Sequence, residues 1–210
     1  MDVQALWRYP VKSMRGQRLE WADLRADGIA GDRLVQVVRG ERVLTARTHP
    51  RLLGLQGGLA ADGTPLVDGQ PWDGPAAAAA VVAIGGPGTH LVFDAGLDRF
   101  DILPLLVATD GAIAALGADG RRLRPNLVVG GVEGLAERTW PGRRLRSGGV
   151  EIGVDSLRGR CVVTTYDPDT LEQDPGVLRH IVRAFDGEVA LNCRVARPGV
   201  LRAGDPVTLL

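Results

Sequence analysis

The chain has 210 residues, a formal net charge of +0 and 45% hydrophobic residues. This length allows one large domain or two small ones, with a substantial hydrophobic core. A neutral chain has no overall basic field, and aromatic residues, at 4%, are too scarce for a surface that stacks single-stranded bases. We therefore expect no nucleic acid and no membrane among its partners.

The apolar runs and the cysteines predict a cytoplasmic location. The apolar run at residues 76–84 is too short to span a bilayer and ends in glycines. Residues 1–4 do not begin a basic region followed by an apolar one, so we predict no signal peptide. Cys161 and Cys193 lie far apart, which favours a reducing compartment over a disulfide framework.

Lys12 is the only lysine among 25 basic residues. It marks either a position that needs a compact, strongly hydrated point charge or a chance survivor in an arginine-rich chain. Its loop, residues 9–16, also carries the hydroxyl of Ser13 and the guanidinium of Arg15. All three groups donate hydrogen bonds to anionic oxygens, so the loop suits a phosphate.

The first fifty residues predict β-structure with charged loops. Residues 3–9 mix apolar and polar side chains as a strand does. Residues 26–33 are rich in turn formers and place Arg33 at the start of the next strand. Residues 34–38 and 43–47 flank a short polar turn and predict a hairpin.

The middle of the chain, residues 54–90, is rich in glycine, alanine and proline and predicts short strands joined by loose loops. The strand candidates are residues 52–55, 81–84 and 91–93. His49 and His90 are too isolated for a zinc site, which needs three or four convergent ligands. We expect both histidines at the surface or in loops.

Two helices are predicted in the second half of the chain. Thr109 and Asp110 provide the N-cap of a short helix that ends at Gly117. A second helix begins after Asp174, with Pro175 at its first position. Its apolar stripe has helical spacing and consists of Leu178, Ile181, Val182 and Phe185.

Residues 121–129 combine three arginines with an apolar run that predicts a strand. Arg124 and Asn126 are two positions apart, so in a strand both side chains lie on the same face and reach one pocket. The alternative is a basic cluster on a solvated face.

Cys161 follows Arg158 and Arg160 and begins a β-prone run at residues 162–166. A thiol beside two guanidiniums is biased towards the thiolate, which binds metals or attacks electrophiles. The alternative is a small buried hydrophobic residue. Cys193 lies among alternating apolar residues, and we predict that it belongs to the core.

Six separated segments together resemble the MOSC superfamily, the domain found at the C-terminus of molybdenum cofactor sulfurases and in the amidoxime-reducing component of mitochondria. The segments are residues 9–13, 31–33, 45–47, 122–129, 160–170 and 204–207. The resemblance implies a mainly β (α+β) fold with a few short helices. It implies an N-terminal MOSC-associated β-barrel domain, residues 1–95, packed on a MOSC β-barrel domain, residues 96–210.

The resemblance also implies a molybdenum cofactor (molybdopterin) held between the two domains. Cys161 matches the cysteine that ligates molybdenum, which makes it the implied catalytic and metal-binding residue. The residues that hold the terminal phosphate of the cofactor match Lys12, Ser13 and Arg33. The strand that contacts the pterin and the metal end matches Arg124 and Asn126. At the family level only, pyridoxal phosphate binding is implied as well.

The implied function is the reduction of N-hydroxylated compounds, such as hydroxylamines, amidoximes and N-hydroxylated bases, by a molybdenum-cofactor oxidoreductase. Its electrons would come from a separate flavin or iron-sulfur protein, because the chain has no motif for either group. One alternative is a non-catalytic carrier or sensor of the cofactor, or a protein that delivers sulfur to it. Another is a β-barrel interaction module whose basic residues lie only on the surface. Residues 54–95 match the family poorly and carry no prediction of a substrate pocket.

Overall fold

Strands make up most of the regular structure, which confirms the predicted mainly β class. The computed structural model describes all 210 residues, apart from the side chain of Leu97. Within that description the strands are β1 (Asp2–Arg8), β2 (Gln17–Leu19), β3 (Trp21–Arg25), β4 (Gly28–Ile29), β5 (Val35–Arg39), β6 (Arg42–Leu44), β7 (Gly57–Leu59), β8 (Pro65–Val67), β9 (Gln70–Pro71), β10 (Thr89–Phe93), β11 (Leu105–Thr109), β12 (Leu127–Gly130), β13 (Arg144–Ser147), β14 (Val150–Gly159), β15 (Glu188–Arg197), β16 (Gly199–Arg202) and β17 (Thr208–Leu209). The α-helices are α1 (Pro75–Gly85), α2 (Asp110–Leu116) and α3 (Pro175–Phe185), and short 3-10 helices cover Pro50–Gly54, Leu97–Arg99, Gly120–Leu123, Ala136–Thr139 and Val162–Thr165.

Eight strands form the largest sheet, in the order β17-β13-β14-β15-β11-β12-β1-β2. Its one parallel pair, within the described residues, joins β11 to β12, and α2 lies in the crossover between them. The pairing leaves β17 and β2 as edges, so the described strands of this sheet do not close into a barrel. Three smaller sheets have the orders β10-β5-β6, β16-β3-β4 and β7-β8-β9.

Backbone pairing joins the N-terminal strands to the C-terminal half. β1 pairs with β12 and places Leu6 opposite Leu127, and β3 pairs with β16. The sheets that contain β5 to β10 use residues before 95 alone. The predicted domain boundary between residues 95 and 96 is therefore crossed by strand pairing, and the boundary itself stays a prediction.

The two faces of the largest sheet pack into different hydrophobic clusters. Val107 of β11 joins the main core with Leu6 and Leu191, and all three are fully buried. The neighbouring Ala108 points the other way, into a cluster that α2 and α3 cover with residues such as Ile181. Full burial of a leucine or isoleucine side chain contributes about 1.5–3 kcal/mol each. These contacts hold β11 rigid on both faces, close to the loops of the site described below.

Both predicted helices of the second half are confirmed. The hydroxyl of Thr109 accepts a hydrogen bond from the Ala112 amide at 3.0 Å, and α2 ends at Gly117 with a φ of 65°. α3 begins with Asp174 as N-cap and Pro175 in its first turn. Of its predicted apolar stripe, Val182 is instead exposed. None of the described helices is long and apolar enough to cross a membrane.

Two strand predictions in the middle of the chain are wrong. Residues 81–84 belong to α1, because an alanine-rich run has high helix propensity and Pro75 fits a first helical turn. Residues 52–55 lie in and just after the 3-10 helix Pro50–Gly54, which a proline also opens. The hairpin of β5 and β6 and the strand β10 are confirmed.

Candidate functional site

One cleft collects every residue predicted for the cofactor site. The cleft is lined by Lys12, Ser13, Arg33, Arg124, Asn126 and Cys161, together with residues of the segments 45–47, 100–106 and 158–163. Its volume is ≈ 160 Å³. A water needs roughly 10–15 Å³ by the same measure, so the cleft has room for a small organic group rather than a single ion. The role of each residue stays a prediction, but the structure brings all six together.

The cleft concentrates positive charge in a chain that is neutral overall. Six cationic side chains and one carboxylate line it, namely Lys12, Arg33, Arg47, Arg124, Arg158 and Arg160 with Asp101. Charges of one sign in a concave, partly dry wall raise the local concentration of the opposite ion. The cleft is therefore built for an anionic ligand.

The loop after β1 presents Lys12 and Ser13 to the cleft. The Lys12 amide donates to the carbonyl of Val35 at 2.8 Å, which ties the loop to β5. The Lys12 ammonium donates to the carbonyl of Arg99 at 3.0 Å, and its side chain is 13% exposed. Ser13 adopts a φ of 70°, and its hydroxyl accepts from the Ala46 amide at 2.9 Å. That leaves the hydroxyl hydrogen as a donor for a ligand.

Asp32 holds Arg33 and Asn126 in place at the cleft, and it was not predicted as a site residue. Its side chain is fully buried, and one carboxylate oxygen accepts from the Tyr9 amide at 2.6 Å. The other oxygen accepts from the guanidinium of Arg33 and, at 3.2 Å, from the amide nitrogen of Asn126. Asp32 thereby fixes two of the predicted residues from behind. The only sequence signal was its place beside Arg33 in the segment 31–33.

Arg124 and Asn126 line the cleft, but they do not lie on one strand as predicted: the predicted strand exists as β12 and starts after both of them. Arg124 ends the 3-10 helix Gly120–Leu123 with a φ of 56°, and β12 begins only at Leu127. Pro125 between the two residues cannot donate to a strand ladder, which explains the late start. The side-chain oxygen of Asn126 accepts from the Leu106 amide at 3.1 Å, and its side-chain nitrogen donates to Asp32. Both polar atoms of this side chain are therefore fixed by the protein.

Arg124 is held in a half-buried position against Tyr9. Its guanidinium donates to the carbonyl of Met14 at 2.7 Å and lies 4.4 Å from the centre of the Tyr9 ring. Burial lowers the pKa of the Arg124 guanidinium from its ordinary value. Burial likewise raises the pKa of the Tyr9 hydroxyl to about 12. The tyrosine is thus a neutral platform for a cation at neutral pH.

Cys161 opens a 3-10 helix, so the predicted strand over residues 162–166 is also wrong. Its carbonyl accepts from the amide of Thr164 at 3.1 Å and from the hydroxyl of the same residue at 2.8 Å. The hydroxyl of Thr165 donates to the carbonyl of Val162 at 2.7 Å. Hydroxyls that bond carbonyls three residues earlier stabilise a tight turn, which here outweighs the β-propensity of the run.

The two cysteines have opposite environments. Cys161 is a half-buried free thiol at the cleft wall. Cys193 is fully buried in the main core, which confirms its predicted position, and burial raises the pKa of its thiol. Only Cys161 of the two lies where a ligand can reach it.

Arg158 and Arg160 precede Cys161 in the chain and line the cleft with it. Their proximity to Cys161 in the sequence was the feature that predicted this. Burial, followed by the charge of Arg158, lowers the pKa of Arg160 to about 10. Arg160 donates to the carbonyl of Leu123 at 2.7 Å, but its buried Nε has no hydrogen-bond partner among the described atoms. A buried donor without a partner costs free energy, and a ligand or water that accepts from it would recover that cost.

Asp101 is the carboxylate of the cleft lining, and no motif in the sequence pointed to it. It contacts Lys12, Arg47 and Arg158, with nitrogen-to-oxygen distances of 3.1, 3.0 and 3.7 Å. Burial alone would raise the pKa of Asp101. The charge and hydrogen bond of Lys12, with the charges of Arg47 and Arg33, outweigh burial and bring the pKa below its ordinary value. The group is therefore a carboxylate at neutral pH.

Both halves of the chain match known domain models. A model of the MOSC domain matches residues 110–208, and a model of the MOSC N-terminal beta barrel domain matches residues 1–76. Human mitochondrial amidoxime reducing component 2 is 37% identical over an alignment of 76 residues, and the match covers 33% of this chain and 22% of that protein. Human mitochondrial amidoxime-reducing component 1 is 30% identical over an alignment of 129 residues, and the match covers 52% of this chain and 38% of that protein. The matches thus span well under half the length of either relative.

A solved structure has a similar overall fold. The YuaD protein from Bacillus subtilis superposes with a TM-score of 0.54, which covers 99% of this chain and 94% of that one. The two sequences are 16% identical. At that level of identity the likeness shows the shared fold alone.

Proposed function

This chain belongs to the MOSC family, and on that premise we propose that it is a molybdenum-cofactor-binding oxidoreductase that reduces N-hydroxylated compounds. Hydroxylamines, amidoximes and N-hydroxylated bases are the proposed substrates. One observation carries the proposal: a reachable thiol, Cys161, and six cationic side chains line the same cleft. The similarity to amidoxime-reducing components supports the same reaction class.

The residues of the cleft fit a molybdenum cofactor. Its terminal phosphate needs cationic and hydrogen-bonding donors, and Lys12, Ser13 and Arg33 line the cleft together. Its metal end needs a soft ligand, and the thiol of Cys161 is of that kind. The Nε of Arg160, a buried atom without a hydrogen-bond partner, is a further donor for an anionic group. When bound, the cofactor supplies two-electron redox chemistry that the side chains of this protein lack.

The protein itself binds, orients and shields. Lys12, Ser13 and Arg33 would hold the phosphate, and Arg124, which packs against the Tyr9 ring, would contact the pterin. Asn126 is proposed to contact the pterin and metal end. It also keeps Arg33 in place, because its amide nitrogen donates to Asp32, the carboxylate that pairs with Arg33. Cys161 would ligate the metal, and Arg158 and Arg160 line the cleft beside it.

The partners of this reaction are proposed with it. Electrons come from a separate flavin or iron-sulfur protein, and the protein acts in the cytoplasm on small molecules. Nucleic acid and membranes have no part in the proposed function. Pyridoxal phosphate binding stays a family-level prediction.

The test is anaerobic purification from a host that makes the cofactor, followed by metal analysis and a benzamidoxime reduction assay with a chemical reductant. We expect bound molybdenum and turnover in the wild type, and loss of turnover with a folded protein in Cys161→Ser, because a hydroxyl is a poor ligand for a soft metal. Cys193→Ala is the matched control and keeps turnover. Mass spectrometry of released ligands checks pyridoxal phosphate in the same sample.

Two outcomes argue against the enzyme. Protein without molybdenum and without turnover contradicts the proposal as a whole. Protein with bound cofactor, in which wild type and Cys161→Ala are equally inert towards every N-hydroxylated compound tried, favours a cofactor carrier, a sensor or a sulfur-delivery protein instead.

A further inference from the structure

The carboxylate of Asp101 lies where three cations of the cleft converge. Lys12 contacts one of its oxygens, and Arg47 and Arg158 contact the other, within the distances given above. Two oxygens that share three cationic donors resemble the way a tetrahedral oxyanion is held in a protein. Neither Arg47 nor Arg158 has a role in the phosphate site proposed from Lys12, Ser13 and Arg33.

Asp101, in the cleft lining, is held much less firmly than Asp32, which lies behind Arg33 and Asn126. Asp32 is fully buried and accepts from the backbone amide of Tyr9, so it cannot leave without exposing that amide. Asp101 is 36% exposed, and no hydrogen bond from a backbone amide to its side chain is found among the described residues. Residues 100–104 form no strand or helix, so the Asp101 side chain can turn away without breaking a ladder.

We propose that Lys12, Arg47 and Arg158 form an oxyanion site that Asp101 occupies in the ligand-free protein and that a phosphate monoester or similar oxyanion takes by exchange. The inference deepens the proposed function. It rests on that function for one point only, that an anionic ligand binds in this cleft. The exchange is non-covalent: the carboxylate rotates towards solvent, and the oxygens of the incoming anion accept hydrogen bonds from the same N–H groups. Asp101 therefore sets the affinity of the cleft for anions by competing with them.

The physical cost of this competition is a loss of apparent affinity. A ligand binds only the fraction of molecules whose carboxylate has turned away, so its apparent affinity falls by that fraction. In return, the carboxylate neutralises a cluster of cations that would otherwise repel one another in a partly buried site. The lowered pKa of Asp101 agrees with a carboxylate that is attracted by its surroundings at neutral pH.

The experiment measures sulfate binding to the full chain, purified without cofactor, by isothermal titration calorimetry at neutral pH. Asp101→Asn removes the competing charge and keeps the shape of the side chain. We expect this variant to bind sulfate about ten-fold more tightly than the wild type, because its cations are free in every molecule. Asp98→Asn, an exposed aspartate outside the cleft lining, is the matched control and leaves the affinity unchanged.

A second pair of variants tests the donors. Arg47→Gln should weaken sulfate binding about three-fold, less than the loss of a buried donor, because the Arg47 side chain is 51% exposed. Arg51→Gln, an exposed arginine outside the lining, should not. The inference is overturned if Asp101→Asn binds sulfate no more tightly than the wild type, or if Arg47→Gln binds it equally well. Sulfate binding is independent of molybdenum content and turnover, so this failure and a failure of the proposed function are told apart.

Discussion

Two parts of this molecule place three cations around one carboxylate, and only one of them is a cleft. In the cleft, Asp101 is contacted by Lys12, Arg47 and Arg158. On β13, β14 and β15, Glu151 is contacted by Arg144, Arg146 and Arg197, with nitrogen-to-oxygen distances of 3.2, 3.0 and 3.3 Å. The charge count and the distances are similar.

The difference lies in which partner faces the solvent. Around Glu151 the three arginines are 48–61% exposed, and the carboxylate lies beneath them. In the cleft, Lys12 and Arg158 are only 13% and 17% exposed, and the carboxylate, at 36%, is more open than either. Arg47, at the mouth of the cluster, is 51% exposed. The pKa of both acids is lowered. At Glu151 the hydrogen bond of Arg146 is the largest cause, whereas at Asp101 burial opposes the shift most strongly and the cations overcome it.

This contrast shows why a cluster of charges becomes a binding site. Exposed arginines are hydrated and screened, so they gain little from a new anion. Cations that the fold holds in a partly dry wall are poorly hydrated, and an anion that reaches them gains more. The cluster at Glu151 therefore serves as an internal control for the cleft.

The largest expected effect is on stability, through Asp32. Asp32→Asn breaks a buried pair with Arg33 and weakens the bonds to Tyr9 and Asn126, which should cost about 3 kcal/mol of the free energy of unfolding. Glu151→Gln should cost much less, because its arginines turn to water. Urea denaturation of both variants checks this. Equal losses would mean that the cleft wall is no more desolvated than the open face.

The next effect is on anion affinity. Lys12→Met removes a partly buried point charge, so the dissociation constant for sulfate or phosphate should rise about ten-fold. Arg146→Met, in the cluster at Glu151, is the matched control and should leave it unchanged. Calorimetric titration of the two variants gives the comparison. A similar loss in both would point to general attraction by surface charge rather than to a site.

The smallest effect is a pH dependence of stability. The folded pKa of Asp101 is lowered, so its ion pairs stabilise the fold above the unfolded value of about 3.9 and lose this effect as pH falls through the lower folded value. The difference in unfolding free energy between the wild type and Asp101→Asn should thus be full at about pH 6 and shrink below about pH 4. Thermal or urea unfolding at several pH values measures it. A difference that grows on acidification would contradict the assigned sign.

Much of the site was predictable from the residues and their resemblance to a known family. Lys12, Ser13, Arg33 and Cys161 were predicted to share one site, and they line one cleft. The helices α2 and α3 were also predictable, since each has a capping side chain and a helix-compatible first turn. These features are local in sequence, or are marked by residue types that are rare in this chain.

Three features were not predictable from local patterns. The 3-10 helix after Cys161 has strand-like composition, and its threonine hydroxyls decide the turn only once they bond carbonyls. Arg124 and Asn126 share a wall without sharing a strand, because a proline separates them. Asp101 has no motif around it, and its partners come from three distant segments.

By itself, the sequence determined which chemistry is available: one lysine, a cysteine beside two arginines, and the caps that start two helices. Only the tertiary structure decided that Cys161 can be reached from the cleft, and that a carboxylate more than eighty residues from Lys12 contacts Lys12, Arg47 and Arg158. The physical reason is that pairing of distant strands brings these side chains together, and their burial in the cleft lining sets the strength of the electrostatic interactions between them.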